Sequence, residues 1–351
     1  MIDTIIVGFG IAGLNYAEKL RQNKKEFRVI APVNQSASKL SAGIINPTVL
    51  KRFNLVWKSD EFLNYALPHY YGLQDLLKKR IIEAIPIYRI LNSNREQNEW
   101  VVACSKLTLQ KYFNNKLISG EKYSGINAPF KFGEVKNTAK VDSKTLINSY
   151  IKKIIPNQYF DCKLDYDKVE FNPDGISYQG IKAKKIVFCE GFQNIFNPFF
   201  NYLPLIGSKG EMLVIKCDQL KEKVIFKGPI FLSPIGKKKF WVGATFNRFD
   251  KTTNVSEDGN LWLRSKLEKF FDLPYQILDH KAQIRACVID RRPLLGIHPK
   301  NNRLFILNGL GTRGVLMAPL LSHWLYEFIE KQYQFPLEVS IKRFEKKYYN
   351  Y

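Results

Sequence analysis

Three glycines fall in the pattern G-x-G-x-x-G, as Gly8-Phe9-Gly10-Ile11-Ala12-Gly13, between a short apolar run and a helical one. Between a strand and a helix this pattern makes a dinucleotide site. The first glycine permits the tight turn, the second lets a pyrophosphate reach the backbone, and the third lets helix and strand approach closely. The helix N-terminus then offers N–H donors and the positive dipole end to the phosphates. Gly8, Gly10, Ile11, Ala12 and Gly13 are therefore candidate cofactor residues, the plain alternative being a glycine turn without ligand. The acidic residue that ordinarily ends the second strand and holds a ribose hydroxyl is missing, for Ala31 and Pro32 stand there.

A second glycine turn, Asn308-Gly309-Leu310-Gly311-Thr312-Arg313-Gly314-Val315, follows another apolar run and opens another helix. It brings a second positive dipole end to the same region, which suits an electron-rich group such as a reduced flavin. Ser38, Ser41, Ala42 and Gly43 are small enough to let the chain run close under such a ring, and Glu190-Gly191 ends a strand in a glycine turn. A guanidinium grips a carboxylate with two parallel hydrogen bonds. Arg285, Arg291, Arg292 and Arg313 are the arginines near these turns. Arg291 and Arg292 flank Asp290 and are expected to pair with it. Lys209 is read either as facing a flavin or as a solvated turn residue.

The elements that must hold these residues alternate in type. Asp3 to Val7 reads as a buried strand, Ile11 to Gln22 as a helix and Phe27 to Ala31 as a second strand, a βαβ unit with parallel strands. Residues 59–80 and Ser143 to Ile155 read as helices, Lys185 to Cys189 and Phe305 to Leu307 as strands, and Val315 to Lys331 as a helix. Short β-like runs are expected from Ile85 to Phe132, and an antiparallel sheet over 203–284, where apolar and polar residues alternate. The sequence thus reads as α/β, a nucleotide-binding domain interrupted twice by segments of a second, β-rich domain.

The 351 residues suit two cores, and 45% of them are hydrophobic. No run reaches the ~18–20 apolar residues of a membrane span. The N-terminus lacks a signal peptide's basic and apolar regions. Together these give the expectation of a cytoplasmic protein without a membrane partner. Five cysteines, at 104, 162, 189, 217 and 287, include no C-x-x-C pair and no histidine at ligand spacing. They read as free thiols, with no metal site expected. The net charge is +22, with clusters at Lys78-Lys79-Arg80, Lys237-Lys238-Lys239 and Lys342 to Lys347. Such a field attracts RNA and anionic cofactors, although lysine-rich composition alone explains it as well.

Read in order, these pieces resemble the D-amino acid oxidase-like FAD-dependent oxidoreductases, which include glycine oxidase and sarcosine oxidase. The resemblance runs from Ile5 to Phe344. It takes in the N-terminal glycine motif, Ser38 to Gly43, Val141-Asp142, the strand ending at Gly191, Lys209-Gly210-Glu211, Gly243-Ala244-Thr245, Arg285 to Gly296, and Gly309 to Gly314. Gly309 to Gly314 with Ala318-Pro319-Leu320 is most similar to the FAD domain of the bifunctional tRNA enzyme that makes 5-methylaminomethyl-2-thiouridine. Thr312 stands where that branch has serine.

The resemblance implies a Rossmann-like FAD-binding domain of D-amino acid oxidase/glutathione reductase type, made of 1–83, 138–202 and 284–351. It also implies a mainly antiparallel substrate domain of 84–137 and 203–283. FAD is expected to be non-covalent, since no Cys or His stands at an evident attachment point. The implied chemistry is hydride transfer from the carbon beside an amine nitrogen. Arg285 stands where the family places its substrate-carboxylate arginine, and Arg313 is the second candidate. The substrate is either a small amine or amino acid, or the carboxymethylaminomethyl group of a tRNA wobble uridine. The tRNA reading calls for a separate methyltransferase as partner. A flavin- or RNA-binding protein without turnover is the third reading, prompted by Ala31.

Overall fold

The computed structural model describes residues 1–34, 36–220 and 223–348, with the backbone alone for 346–348; the side chains of Lys346 and Lys347 in the last basic cluster lie outside it. Two large sheets carry the molecule. The first has eight strands, in the order Tyr159–Phe160, Phe27–Ile30, Ile2–Val7, Ile181–Phe188, Gly175–Tyr178, Val169–Asn172. Asn301–Asn308 also joins Ile181–Phe188, and Leu294–His298 joins Asn301–Asn308. Its central strands are parallel. Ile5, Ile6, Val187, Leu304 and Ile306 are buried. Such continuous apolar runs are what a parallel sheet with both faces covered requires. One covering layer is formed by the helices Ile11–Gln22, Ser59–Leu77 and Gly314–Lys331, which pack on one another. Tyr70 Oη fixes two of them by donating to the Val315 carbonyl at 2.8 Å.

The second sheet has seven strands, in the order Gln276–Val288, Leu205–Lys216, Lys239–Gly243, Phe231–Gly236, Ile225–Lys227, Ile87–Ile90, Phe132–Val135. It is antiparallel throughout except where Ile225–Lys227 runs parallel to Ile87–Ile90. The long antiparallel pair Leu205–Lys216 and Gln276–Val288 forms one edge of this sheet. Arg285 lies opposite Ser208 on it, and Gln283 opposite Gly210.

Two helices stand where β structure is expected from the sequence. Asn94–Cys104 begins at Ser93, whose Oγ accepts the N–H of Glu96 at 3.1 Å. Glu96 in turn accepts from the backbone N–H of Asn92 at 2.8 Å. Glu257–Leu267 begins at Ser256, capping Gly259 at 3.0 Å. Both are surface helices burying only a few residues, such as Trp100 and Leu263.

Candidate active site

The sequence Ile2–Val7, turn, Ile11–Gln22 delivers the first glycine motif as expected. A Cβ on Gly13 would lie 2.1 Å from the Gly8 carbonyl oxygen, so helix and strand meet through bare backbone. Gly10 faces Ser38 and Ser36, whose Oγ atoms would be 3.0 and 3.3 Å from its Cβ. Ser38 Oγ also accepts the N–H of Ile11 at 2.9 Å, one of the donors a helix start leaves without an intrahelical partner. Gly43 has φ +67°, and its missing Cβ leaves space for the Val141 carbonyl, 1.8 Å from where that atom would be. The 41–43 segment is thereby held flat against Val141 and Ser143.

Between the two sheets lies a cleft of about 750 Å³, within the ~300–1,000 Å³ usual for cofactor and ligand sites. Gly8, Gly10, Ile11, Ala12, Ser38, Ser41, Ala42, Gly43, Glu190, Gly191, Leu310, Gly311, Thr312, Gly314 and Val315 line it. Gly13 and Gly309 stand behind this wall. Gly13 packs on Gly8, and Gly309, at φ +70°, turns the chain against Val288. Two helix N-termini, Ile11–Gln22 and Gly314–Lys331, open at the cleft. The paired positive dipole ends, bare backbone at Gly8 and Gly10 and a flat small-residue floor fit FAD. With FAD bound, the first helix N-terminus would serve the phosphates and the second the electron-rich end of the ring system.

Asn34 and Ser36 line the cleft just beyond Ala31. They place polar groups where the acidic ribose ligand is missing. Ala31 itself is buried, and Tyr159 Oη donates to its carbonyl at 2.7 Å. Glu190 accepts from Tyr166 Oη at 2.5 Å and from Asn197 Nδ2 at 2.7 Å. Desolvation still outweighs those bonds and pushes its carboxyl up to about 7.

Arg285 reaches the cleft from the second sheet. It donates to the Thr245 carbonyl at 2.9 Å and to Ser208 Oγ at 3.4 Å, and lies 5.6 Å from the Phe246 ring centroid. Burial pulls its pKa down. Among the described residues no carboxylate lies within ion-pair distance of it. Gly210 makes its space, for a Cβ there would be 1.9 Å from Nη2. Lys227 also lines the cleft. Its ammonium donates to the carbonyls of Gly228 and Pro229 at 2.6 and 3.0 Å, and desolvation lowers its pKa to about 8. Phe231 and Trp241 complete the apolar wall, and Trp241 Nε1 donates to the Leu40 carbonyl at 3.0 Å, tying the second sheet to the cofactor floor.

The other sequence candidates go elsewhere. Arg313 donates to the carbonyls of Asn46 and Thr48 at 2.8 and 3.1 Å and is absent from the cleft wall. Burial lowers its pKa to about 10. Lys209 is neither solvated nor on the cleft wall. Only 1% exposed, it is bound to Asp250 at 2.5 Å, with Glu211 at 3.6 Å. Asp290 pairs with Arg343 at 2.8 Å, not with the side chains of Arg291 or Arg292. The folded-back C-terminal helix brings in a cation that sequence distance hides, while Arg292 stacks on Trp57. Among the described residues no group of His, Cys, Asp and Glu could hold a metal, and no helix is long and apolar enough to cross a membrane.

The chain matches the DAO family, FAD dependent oxidoreductase, over residues 3–328, and it belongs to that family. FAD is accordingly its cofactor. Among curated proteins it is 23% identical over 191 residues to the tRNA 5-methylaminomethyl-2-thiouridine biosynthesis bifunctional protein MnmC of Marinobacter nauticus. That alignment covers 46% of this chain and 30% of the relative, so the chain spans less than a third of that protein's length. Among solved structures it is similar to glycine oxidase from Bacillus cereus, with TM-score 0.78, 15% identity and 96% and 99% of the two chains covered. It is also similar to iminodiacetate oxidase from Chelativorans, with TM-score 0.76, 16% identity and 97% and 98% covered. At such identities the likeness is one of fold.

Proposed function

We propose that the chain oxidises the C–N bond of an N-substituted glycine, the carboxymethylaminomethyl group of a tRNA wobble uridine being the reading that best joins its site to its charge. The observation that carries this is Arg285, a desolvated guanidinium on the cleft wall with no carboxylate partner among the described residues. An unpaired buried cation is costly, and a ligand carboxylate relieves it. Gly210 leaves room for the guanidinium in that position.

Bound FAD supplies the two-electron acceptor for the hydride lost from the substrate's α-carbon; the resulting imine hydrolyses to glyoxylate and the freed amine. The protein's own tasks are binding and alignment. Arg285 fixes the carboxylate, while Phe231, Trp241 and Met212 give the amine an apolar wall that favours its neutral form. No carboxylate among the described wall residues lies beside Arg285 to act as a base, in keeping with a reaction that needs none.

The +22 charge and the similarity to MnmC favour RNA as the bearer of the glycine unit, with a separate methyltransferase as partner. The fold shared with glycine oxidase favours a free small amino acid as second reading. The complete cleft argues against a protein without turnover. The test is an anaerobic absorbance titration of the purified yellow protein with N-methylglycine and with RNA bearing carboxymethylaminomethyluridine. Bleaching by either, with glyoxylate formed, supports the proposal; bleaching by neither, but by an amine lacking a carboxylate, refutes it.

A further inference from the structure

The loop over residues 244–253 leaves the second sheet at the cleft mouth. Phe246 lines the cleft yet is 56% exposed, with the guanidinium carbons of Arg248 and Arg285 5.5 and 5.6 Å from its centroid. Three residues on, Phe249 is 94% exposed. A loose loop would fold such rings inward to remove apolar surface from water, but this one is anchored. Lys209 and Asn247 exchange backbone hydrogen bonds at 2.8 and 3.0 Å. Asn247 Oδ1 accepts from the N–H groups of Phe249 and Asp250 at 2.8 and 3.1 Å. The Asp250 carboxylate is held by buried Lys209 at 2.5 Å, and Lys251 Nζ donates to the Gly207 carbonyl at 2.6 Å. The loop's base is thus pinned by hydrogen bonds while the two rings stand at the surface.

Charge indicates what they meet. Asp250 is the loop's single acid, and it is engaged by Lys209. Arg248 and Lys251 are exposed on the loop. With Arg285 and Arg291 they act together on the nearby Cys287 thiol, offsetting part of its desolvation. A partner must therefore present negative charge together with flat apolar faces. Phosphates answer the cations and base faces answer the rings. Stacking on a side chain requires bases free of a duplex, so the strand is single or a loop.

We propose that Phe249, with Phe246 and Arg248, is a stacking platform for an unpaired nucleobase of an RNA whose glycine-bearing nucleotide enters the cleft. This rests on the RNA reading of the function given above. The probe is a fluorescent uridine-rich single-stranded oligoribonucleotide, compared with its duplex and with heparin. The wild type binds the single strand in preference to both. Phe249→Ala weakens single-strand binding roughly 5- to 150-fold, the usual worth of one stacked base, and Phe249→Trp restores it. Oxidation of N-methylglycine by Phe249→Ala equals that of the wild type. Unchanged single-strand affinity in Phe249→Ala overturns the platform, as does equal wild-type affinity for strand, duplex and heparin. If neither N-methylglycine nor RNA bearing carboxymethylaminomethyluridine is oxidised but strand binding still depends on Phe249, the substrate reading fails and the platform stands.

Discussion

Gly210 and Arg285 are diagonal neighbours on the long strand pair, so close that a Cβ on residue 210 would sit 1.9 Å from the guanidinium Nη2. The strand is ordinary there and the clashing atom is the end of a flexible side chain. Gly210→Ala should therefore fold, hold FAD and melt no lower than the wild type. What it moves is Arg285. A displacement of about 1 Å at a positioning group costs up to roughly 100-fold in rate. Steady-state kinetics with N-methylglycine should show kcat/KM falling while FAD content stays full. Unaltered kinetics would detach Arg285 from substrate binding.

The two glycines of the first motif should separate in their effects. Gly10→Asp puts a carboxylate beside Ser38 and Ser36, into the phosphate region, and the protein should fold but purify colourless. Gly13→Ala drives a methyl to 2.1 Å from the Gly8 carbonyl. It should lose about 1–3 kcal/mol of stability in denaturant titration, because helix and strand must move apart. A yellow Gly10→Asp protein would place the pyrophosphate elsewhere.

Glu190 predicts a pH dependence of stability. Its carboxyl is raised by burial from 4.5 to about 7 in the folded protein. Between those values the folded state holds a proton that the unfolded state has lost. Stability should therefore fall as pH rises from about 4.5 to 7 and level off above, by at most about 3 kcal/mol. Glu190→Gln should remove that slope and be more stable than wild type at pH 8, measured by urea unfolding at pH 5 and pH 8. An identical slope in the variant would show that Glu190 is not its source.

Lys209 lies under the 244–253 loop, bound to Asp250 and Glu211, while Glu211 also accepts from Ser256 Oγ at 2.8 Å. Lys209→Met takes a buried cation from between Asp250 and Glu211, leaving Glu211 only His280 at 2.9 Å among the described residues, and should lower the urea midpoint of unfolding. The flavin absorbance should be unaltered. A shifted flavin spectrum at full stability would instead put Lys209 against the ring.

The two glycine turns were legible because their signals are local. Gly8 to Gly13 and Gly309 to Gly314 each join a strand to a helix within one turn, and the chain cannot use those glycines far from where they stand. The substrate half was less so. Lys209, Arg313 and Asp290 find partners 41, about 267 and 53 residues away, distances at which spacing carries no information. Lys227, Phe231 and Trp241 come to the cleft only through the order of the second sheet. The helix Asn94–Cys104 did leave a local sign: Ser93 and Glu96 have the S-x-x-E spacing of a capping box. Its weakly apolar face, burying Trp100, Ala103 and Cys104, obscured it. Asn34 and Ser36, which line the cleft, follow Ala31 closely, but nothing in their types sets them apart from other loop residues.

Whether Arg285 holds the substrate carboxylate in the cleft is decided by Arg285→Met, assayed by anaerobic flavin reduction by N-methylglycine in a stopped-flow instrument. Losing a desolvated charge-assisted pair should cost ~2–4 kcal/mol of transition-state binding, roughly 30- to 1000-fold in kcat/KM, with FAD still bound. An exposed pair would be worth ~0–1 kcal/mol. An Arg285→Met protein that bleaches its flavin as fast as wild type at limiting substrate would contradict the account.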